Sequence, residues 1–230
     1  MPRSHVKQFL YHSFVGLIRT YSRFAWDFRV SGSVRVPLGP KIYVANHISS
    51  VDPYWVMMAV PEFLHFVIGP PFGIRWLAPV FRSFEQINAM PQHRKTTVSQ
   101  ACHYLALGES VYIAPEGDVQ PPFQLGHFYS GLSKIHRRSL APIVPLAMAV
   151  SPGSIRRHPK WDMKVDGRTY EARIVWRGKV RVMAGEALTP GLRHDVDEEE
   201  DDRRITEEVR ASIATMLDKL APEFDDSAPS

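Results

Sequence analysis

Residues 41–53 read KIYVANHISSVDP, an apolar run that ends in a polar turn and continues into Asp and Pro. The β-branched and aromatic residues predict a strand over 41–45. Asp before Pro is a preferred helix start, so we expect a helix from Pro53 onward. A strand that runs directly into a helix is typical of an α/β fold. Ligand sites of α/β proteins favour such strand ends, so we expect a site at the turn that carries His47.

The segments beyond this stretch continue the alternation of strands and helices. Further strands are predicted over 33–38, 63–69, 84–88, 110–114, 142–150 and 174–188, and further helices over 96–107 and 129–138. This order indicates one domain over 31–192, with a central, mostly parallel or mixed sheet flanked by helices. Pro145 would interrupt the hydrogen bonds of a central strand, so it indicates a bulge or a sheet edge.

Both ends of the chain carry amphipathic helical patterns. One apolar stripe comprises Val6, Phe9, Leu10, Phe14, Leu17, Ile18, Tyr21, Phe24 and Phe28. Residues 1–30 are therefore expected to form either a helix that packs on the core or a helix that lies in a membrane interface. Toward the other end we expect an acidic linker over 193–204, a helix over 205–222 and a flexible tail over 223–230. The apolar face of that second helix comprises Ile205, Val209, Ile213, Met216, Leu217 and Leu220.

The charge is distributed unevenly. Residues 1–194 contain 24 Lys and Arg against 11 Asp and Glu, whereas residues 195–230 contain 4 against 13. A basic body attracts polyanions such as nucleic acid, anionic lipid headgroups, the phosphates of coenzyme A or an acidic carrier protein. We do not expect nucleic acid as a partner, because the sequence lacks zinc-finger spacing, an RNP-like motif and a basic region joined to heptads.

The cysteine count and the hydropathy exclude several classes of protein. The single cysteine, Cys102, excludes a disulfide framework and a cysteine-rich zinc site, and we expect no bound metal. Together with the lack of a secretory signal pattern, it favours the reducing, cytoplasmic side. No run approaches the roughly 20 apolar residues that a membrane-spanning helix needs.

His47 and Asp52 are the first candidates for chemistry. Asp52 can be a plain helix cap and His47 a plain loop residue. Alternatively, the carboxylate fixes the tautomer of His47 and stabilises its protonated form, which makes the imidazole a general base. The two functions of Asp52 are compatible. Glu116 and Gly117 lie at another strand end, in APEGD at 114–118, where the pattern alone predicts a turn.

Three motifs in this order, NHISSVDP at 46–53, APEG at 114–117 and PIVPLAM at 142–148, resemble the glycerolipid acyltransferase family, which includes the 1-acyl-glycerol-3-phosphate acyltransferases. The likeness runs from about 41 to 188. It implies transfer of a fatty acyl group from acyl-CoA or acyl carrier protein to a hydroxyl of a lysolipid, without a bound cofactor. It gives His47 the role of general base and Asp52 that of its orienting partner. It also associates Glu116 and Gly117 with binding of the acceptor.

The resemblance further implies a peripheral enzyme of membrane lipid synthesis at the cytoplasmic face of an anionic membrane. The acyl chain of the acceptor must reach the site without leaving the lipid, so the resemblance favours the interfacial location for residues 1–30. A lipid hydrolase, a phospholipid transacylase and a non-catalytic lipid-binding member are the alternatives.

The sequence also departs from the family pattern. Pro-Glu-Gly is usually followed by Thr-Arg-Ser, but here Asp118, Val119 and Gln120 follow, and Gln124 stands where a lysine is common. Loss of two cations weakens charge-assisted binding of a phosphomonoester. A larger headgroup, an amino-acid lipid or a glycolipid is therefore an alternative acceptor. The remaining candidates for anion recognition are Arg82, Arg94 and Lys95.

Overall fold

The fold is known from a computed structural model that describes residues 5–32 and 37–225. Most of the strand predicted over 33–38 and the tail beyond 225 lie outside the described residues, as does the side chain of Val6. The helices are α1 (His5–Ala25), α2 (Asp52–Ala59), α3 (Ala78–Ser83), α4 (Arg94–Ala106), α5 (Gly131–Ser139) and α6 (Glu198–Leu220). The strands are β1 (Trp26–Ser31), β2 (Ile42–Ala45), β3 (Leu64–Ile68), β4 (Ile87–Asn88), β5 (Ser110–Ile113), β6 (Ile143–Val150), β7 (Ile155–Arg157), β8 (Met163–Val165), β9 (Arg168–Tyr170), β10 (Arg173–Val175) and β11 (Gly178–Ala184).

Seven strands form one mixed sheet in the order β1-β11-β6-β2-β5-β3-β4. The five strands from β6 to β4 are parallel to one another, whereas β11 runs antiparallel to β6 and pairs in parallel with β1. The excursion 151–177 between β6 and β11 contains two small antiparallel ladders, β7 with β10 and β8 with β9. The predicted α/β class with a mostly parallel or mixed sheet is confirmed.

Helices cover both faces of the sheet because the side chains of its strands alternate between two cores. In β2, Tyr43 and Ala45 face the layer of α1 and α2, whereas Ile42 and Val44 face the layer of α4, α5 and α6. All eight residues of β6 are buried. Such continuous apolar runs are typical of interior strands of sheets that are covered on both sides.

Pro145 lies within β6, so the sheet-edge alternative for this residue is wrong. Ile143 exchanges two backbone hydrogen bonds with Leu188, and the next bond on this side runs from the Gly185 N–H to the Pro145 carbonyl. The two residue steps from 143 to 145 along β6 therefore face three residue steps, from 188 to 185, along the neighbouring segment. This extra residue is a bulge, which accommodates the missing N–H of Pro145 inside the sheet.

The helix at the start of the chain ends earlier than predicted. Residues 26–31 leave α1 and form β1, which joins the sheet beside β11. Thus the boundary of the domain expected at 31 is wrong, and Phe28 belongs to a strand. The buried face of α1 consists of Tyr11, Val15, Ile18 and Ser22. Among the side chains that the structure describes, Ile18 is the only member of the predicted apolar stripe within that buried set.

The acidic run is helical from Glu198 onward, which corrects the linker expected over 193–204 for its residues 198–204. Asp197 caps α6, its side chain accepting a hydrogen bond of 2.8 Å from the Glu200 N–H. Acidic side chains in a first turn favour the helix because the N-terminus carries partial positive charge. Arg137 of α5 binds Asp201 and Asp202 at 2.9 and 3.0 Å, so this end of α6 is held to the domain.

The apolar face predicted for α6 is confirmed. The six named residues from Ile205 to Leu220 are all buried against the sheet and α5. Part of the expected tail is also packed. Residues Ala221–Phe224 form a 3-10 turn in which Glu223 pairs with the buried Arg181 and Phe224 contacts Phe123.

Within residues 5–32 and 37–225, the helices are too short or too polar to span a bilayer.

Candidate active site

The candidate site forms where two neighbouring parallel strands end. β2 and β5 pair in parallel, so the loop 46–51 after β2 and the loop 114–118 after β5 leave the same edge of the sheet. This edge is where α/β sheets bind ligands. The motif NHISSVDP and the motif APEG, which are 68 positions apart in the sequence, are thereby brought side by side.

Buried polar side chains fix the loop that carries His47. The amide of Asn46 donates to the Met148 carbonyl at 2.9 Å and accepts from the Met148 N–H at 2.8 Å. On the other side, the Ser49 hydroxyl and the Ser50 N–H both donate to the Arg173 carbonyl. Neither Asn46 nor Ser49 is among the residues predicted from the sequence. A polar Asn directly after an apolar strand is a usable signal, because a buried amide needs partners.

His47 and Asp52 form a hydrogen-bonded pair. The Nδ1 atom of His47 lies 2.8 Å from Oδ2 of Asp52, whose side chain is fully buried. The same Oδ2 atom accepts hydrogen bonds from the backbone N–H groups of Ile48 and Ser49 at 2.7 and 3.1 Å. The capping interpretation of Asp52 is therefore wrong. The helix cap is Val51, which makes no side-chain bond, and the carboxylate points back to the loop.

This arrangement suits a base. With Nδ1–H donating to Asp52, the proton-accepting lone pair of a neutral His47 is on Nε2. The side chain of His47 is one-quarter exposed, at 25%. Burial lowers the pKa of His47, but the hydrogen bond and charge of Asp52, with further contributions from Glu116 and Asp118, outweigh it and raise the pKa. The imidazole is thus fixed in orientation and more basic than usual.

Glu116 connects the two loops. Its Oε2 atom accepts from the His47 N–H at 2.6 Å and its Oε1 atom accepts from the Gly126 N–H at 2.7 Å. The Gln120 N–H in turn donates to the His47 carbonyl at 2.7 Å. Burial raises the pKa of Glu116 although both amide partners favour its charged form. Glu116 therefore holds the backbone of His47 in place, and contact of its carboxylate with an acceptor stays a prediction.

Gly117 is required for its backbone conformation. Its φ of +64° lies in the left-handed region, which a side chain disfavours. The turn after β5 brings the ring of Tyr129 close to Gly117, at 3.7 Å from the position that a Cβ atom would take. Gly117 thus shapes the turn that places Glu116 against His47.

The other sequence candidates are not part of this hydrogen-bonded cluster. Arg94 and Lys95 are exposed at the start of α4, after β4, which is two strands away from β5 along the same sheet edge. Arg82 is exposed on α3. The thiol of Cys102 packs on α5, where its nearest hydrogen-bond acceptor is the Ile135 carbonyl at 3.8 Å, so a packing function fits this residue.

The fold and the site define the class of protein. A sequence model of the acyltransferase family matches residues 27–149, more than half of the chain, and includes His47, Asp52 and Glu116. The chain belongs to the acyltransferase family.

A solved structure with the same fold comes from Thermotoga maritima. It is the 1-acyl-sn-glycerophosphate (LPA) acyltransferase PlsC, with which this chain shares 21% sequence identity. The TM-score is 0.64, and the match covers 96% of this chain and 84% of the Thermotoga chain. The structural likeness therefore extends well beyond residues 27–149, and at this identity it establishes the shared fold.

Proposed function

We propose that this acyltransferase moves a fatty acyl group from acyl-CoA or acyl carrier protein to a hydroxyl of a lysolipid. The acceptor is 1-acyl-glycerol-3-phosphate or a related lysolipid, and the product belongs to membrane lipid synthesis. The observation that carries the proposal is the pair of His47 and Asp52, whose Nδ1–Oδ2 bond leaves Nε2 as the basic nitrogen. The shared fold with the Thermotoga LPA acyltransferase supports the choice of acceptor.

The proposed reaction is a direct transfer. Nε2 of His47 takes the proton of the acceptor hydroxyl while the hydroxyl oxygen attacks the thioester carbonyl. A carbon–oxygen bond forms, the carbon–sulfur bond breaks, and the thiolate leaves with the proton from His47 as free thiol. Asp52 stabilises the imidazolium that exists between these proton transfers. No acyl-enzyme is needed, which agrees with the position of Cys102 outside the cluster.

We further propose that the protein lies peripherally on the cytoplasmic face of a membrane, with α1 in the interface. Among the side chains of α1 that the structure describes, the large exposed apolar ones are Phe9, Leu10, Phe14, Leu17, Tyr21 and Phe24. Phe14 contacts the ring of Tyr54, two residues after Asp52, at a centroid distance of 6.1 Å. An interface on this face of α1 therefore leads toward the helix that carries the catalytic carboxylate, which suits an acceptor that stays in the lipid.

The direct test is release of thiol from long-chain acyl-CoA or acyl carrier protein, measured with a panel of lysolipids and without acceptor. We expect acceptor-dependent release by the wild type and a loss of roughly 100- to 10,000-fold in His47→Ala, because a general base contributes that much. The matched control is His103→Ala, an exposed histidine on α4, which should keep full activity.

The dependence on pH adds a second readout. The base must be neutral, so activity should rise with pH through the pKa of His47, at a midpoint above the ordinary 6.5. Asp52→Asn removes the charge that raises this pKa, so the acid limb should move to lower pH while turnover falls. Free fatty acid without acceptor would indicate a hydrolase instead. A folded wild type that transfers no acyl group from either donor would reject the proposal.

A further inference from the structure

Arg168 brings a cation from a distant part of the chain to the mouth of the site. It is the first residue of β9, directly after the tight turn at Asp166 and Gly167, both of which have positive φ. Its Nη2 atom lies 3.1 Å from Oδ2 of Asp118, two residues after Glu116. The hairpin of β8 and β9 therefore reaches the loop that holds the backbone of His47.

Two tyrosines support the guanidinium of Arg168, one through its ring and one through its hydroxyl. The guanidinium lies over the ring of Tyr170 at 5.1 Å from the centroid, and the hydroxyl of Tyr129 is a polar neighbour. Partial burial lowers the pKa of Arg168, but bonding to Tyr129 and Asp118 outweighs it and raises the pKa. Because the Tyr129 N–H donates to the Pro115 carbonyl at 2.9 Å, Arg168 is positioned beside the turn that carries Glu116 and Gly117.

At the mouth of the site the carboxylates of Glu116 and Asp118 already have donors, whereas Oδ1 of Asp52 is buried and has no hydrogen-bond partner among the described residues. Oδ2 of Asp52 accepts three hydrogen bonds, and both oxygens of Glu116 accept backbone N–H groups. Oδ1 of Asp118 accepts from the Val119 N–H and Oδ2 binds Arg168. By contrast, a guanidinium has five N–H donors, and the side chain of Arg168 is 44% exposed. The polar capacity left at the mouth is therefore donor capacity, which suits an anion.

The charges around His47 also favour a cation as the contact for the substrate. Asp52 binds the His47 ring, and Asp52, Glu116 and Asp118 each raise the pKa of His47, so three carboxylates act on the imidazole. An anionic acceptor that approaches Nε2 enters the field of these carboxylates and needs a compensating positive charge. Arg168 supplies that charge from a fixed position beside Asp118.

We propose that Arg168 is the anion-binding residue for the acceptor, holding the phosphate of its headgroup while Asp118 positions the guanidinium. This inference deepens the proposed lysolipid acyl transfer and rests on it. The sequence departures at 118–120 are then accommodated by a cation from another segment. The subsite determines acceptor specificity, since a lysolipid without an anionic group gains nothing from Arg168.

The test compares Arg168→Gln with Arg157→Gln. Arg157 belongs to the same excursion, is 53% exposed and pairs with Asp162 and Glu171, so it is a matched control whose ion-pair partners lie outside the 114–118 loop. With 1-acyl-glycerol-3-phosphate as acceptor, Arg168→Gln should raise the acceptor KM roughly tenfold to hundredfold, as expected for a lost charge-assisted bond. We expect kcat and the acyl-CoA KM to stay near wild type. Arg168→Lys, which keeps the charge, should give a smaller increase.

A second acceptor and the acyl-CoA KM make the outcome specific. With 1-acylglycerol, which lacks the phosphate, the wild type and Arg168→Gln should behave alike. An increase in the acyl-CoA KM instead would mean that the anion is a donor phosphate, and this would overturn the inference, as would an unchanged acceptor KM in a variant that melts like wild type.

Binding without turnover separates this inference from the proposed function. In the His47→Ala background, calorimetric titration with 1-acyl-glycerol-3-phosphate should show the same tenfold to hundredfold loss on Arg168→Gln and no change on Arg157→Gln. If the wild type transfers no acyl group but this loss is seen, the proposed function fails and the anion subsite stands. Equal binding by both variants overturns the subsite.

Discussion

The two long helices, α1 and α6, have similar lengths of 21 and 23 residues and similar amphipathic patterns, but they bury their apolar faces to very different degrees. In α6 the six residues of the predicted apolar face, from Ile205 to Leu220, are all buried, and the fully buried ones include Val209 and Ile213. In α1 several large side chains remain in solvent, and Phe24 is 84% exposed. The same kind of pattern therefore serves packing in one helix and leaves an open surface in the other.

The geometry of α1 explains how both outcomes arise from one stripe. At 100° per residue, the buried residues of α1 fall within an arc of about 60°. A second arc of about 80° next to it carries the exposed Leu10, Phe14, Leu17, Tyr21 and Phe24. The two arcs together span about 180°, so the apolar face of α1 is about three times as wide as the arc of its buried residues. An apolar face wider than its protein contact is what an interfacial helix requires.

The largest expected effect comes from replacing one aliphatic residue by aspartate on each of the two helices. Ile213→Asp places an unpaired charge in the core, and we expect a loss of more than about 4 kcal/mol, a large part of the roughly 5–15 kcal/mol that stabilises a domain. Leu17→Asp changes a side chain that is 67% exposed, so the melting temperature should move by only about 2 °C. Thermal unfolding followed by circular dichroism measures both.

The same pair tests what the exposed face contacts. Leu17→Asp should lower binding to anionic vesicles at least roughly tenfold in a flotation assay, because burial of a leucine contributes about 1.5–3 kcal/mol. Loss of fold in Leu17→Asp would show that this face packs on protein in solution. Unchanged flotation of the folded variant would remove α1 from the membrane contact.

The second effect concerns the polar anchoring of α6. Arg137→Gln leaves Asp201 and Asp202 buried with one cation fewer, and we expect a loss of about 2 to 4 kcal/mol in the free energy of unfolding. Arg204 still binds Asp201 at 2.7 Å, which keeps the effect below that of Ile213→Asp. Urea unfolding measures the difference. A loss under about 0.5 kcal/mol would mean that the acidic first turn holds α6 without help from α5.

These two helices also show what the sequence could predict and what it could not. Periodicity identifies helices and the face of α6, because burial of that face follows from spacing alone. It could not place the buried face of α1, since that face is set by contacts such as that of Tyr11 with Phe63, which is distant in the sequence. Nor could it extend α6 through Glu198–Arg204, because Arg137 is brought to the acidic run only by the fold.

The residues of the site also divide into those that the sequence could predict and those that it could not. The positions of His47, Asp52, Glu116 and Gly117 follow from motifs at strand ends, and the parallel pairing of β2 and β5 brings them together. Arg168 was not predicted, because its contact with Asp118 spans 50 residues and depends on a hairpin outside the motifs. Residues whose positions follow from local turns can be identified from the sequence. A partner that comes from the excursion 151–177 cannot.

The smallest expected effect concerns the charges of α1. Arg19 and Arg23 are exposed, but at 100° per residue they lie on the side of α1 away from its exposed apolar arc, so a bilayer on that arc is about 10 Å away and attracts each cation by well under the roughly 1 kcal/mol of a cation at its surface. The double variant Arg19→Gln with Arg23→Gln should therefore weaken binding to anionic vesicles by only about threefold and leave binding to neutral vesicles unchanged. High salt should reduce wild-type binding toward that of the variant, because the Debye length falls to about 3 Å at 1 M. An equal loss on neutral vesicles would instead mean that the substitutions disturb the helix, and the contrast with α6 would then lie in stability and not in what each apolar face contacts.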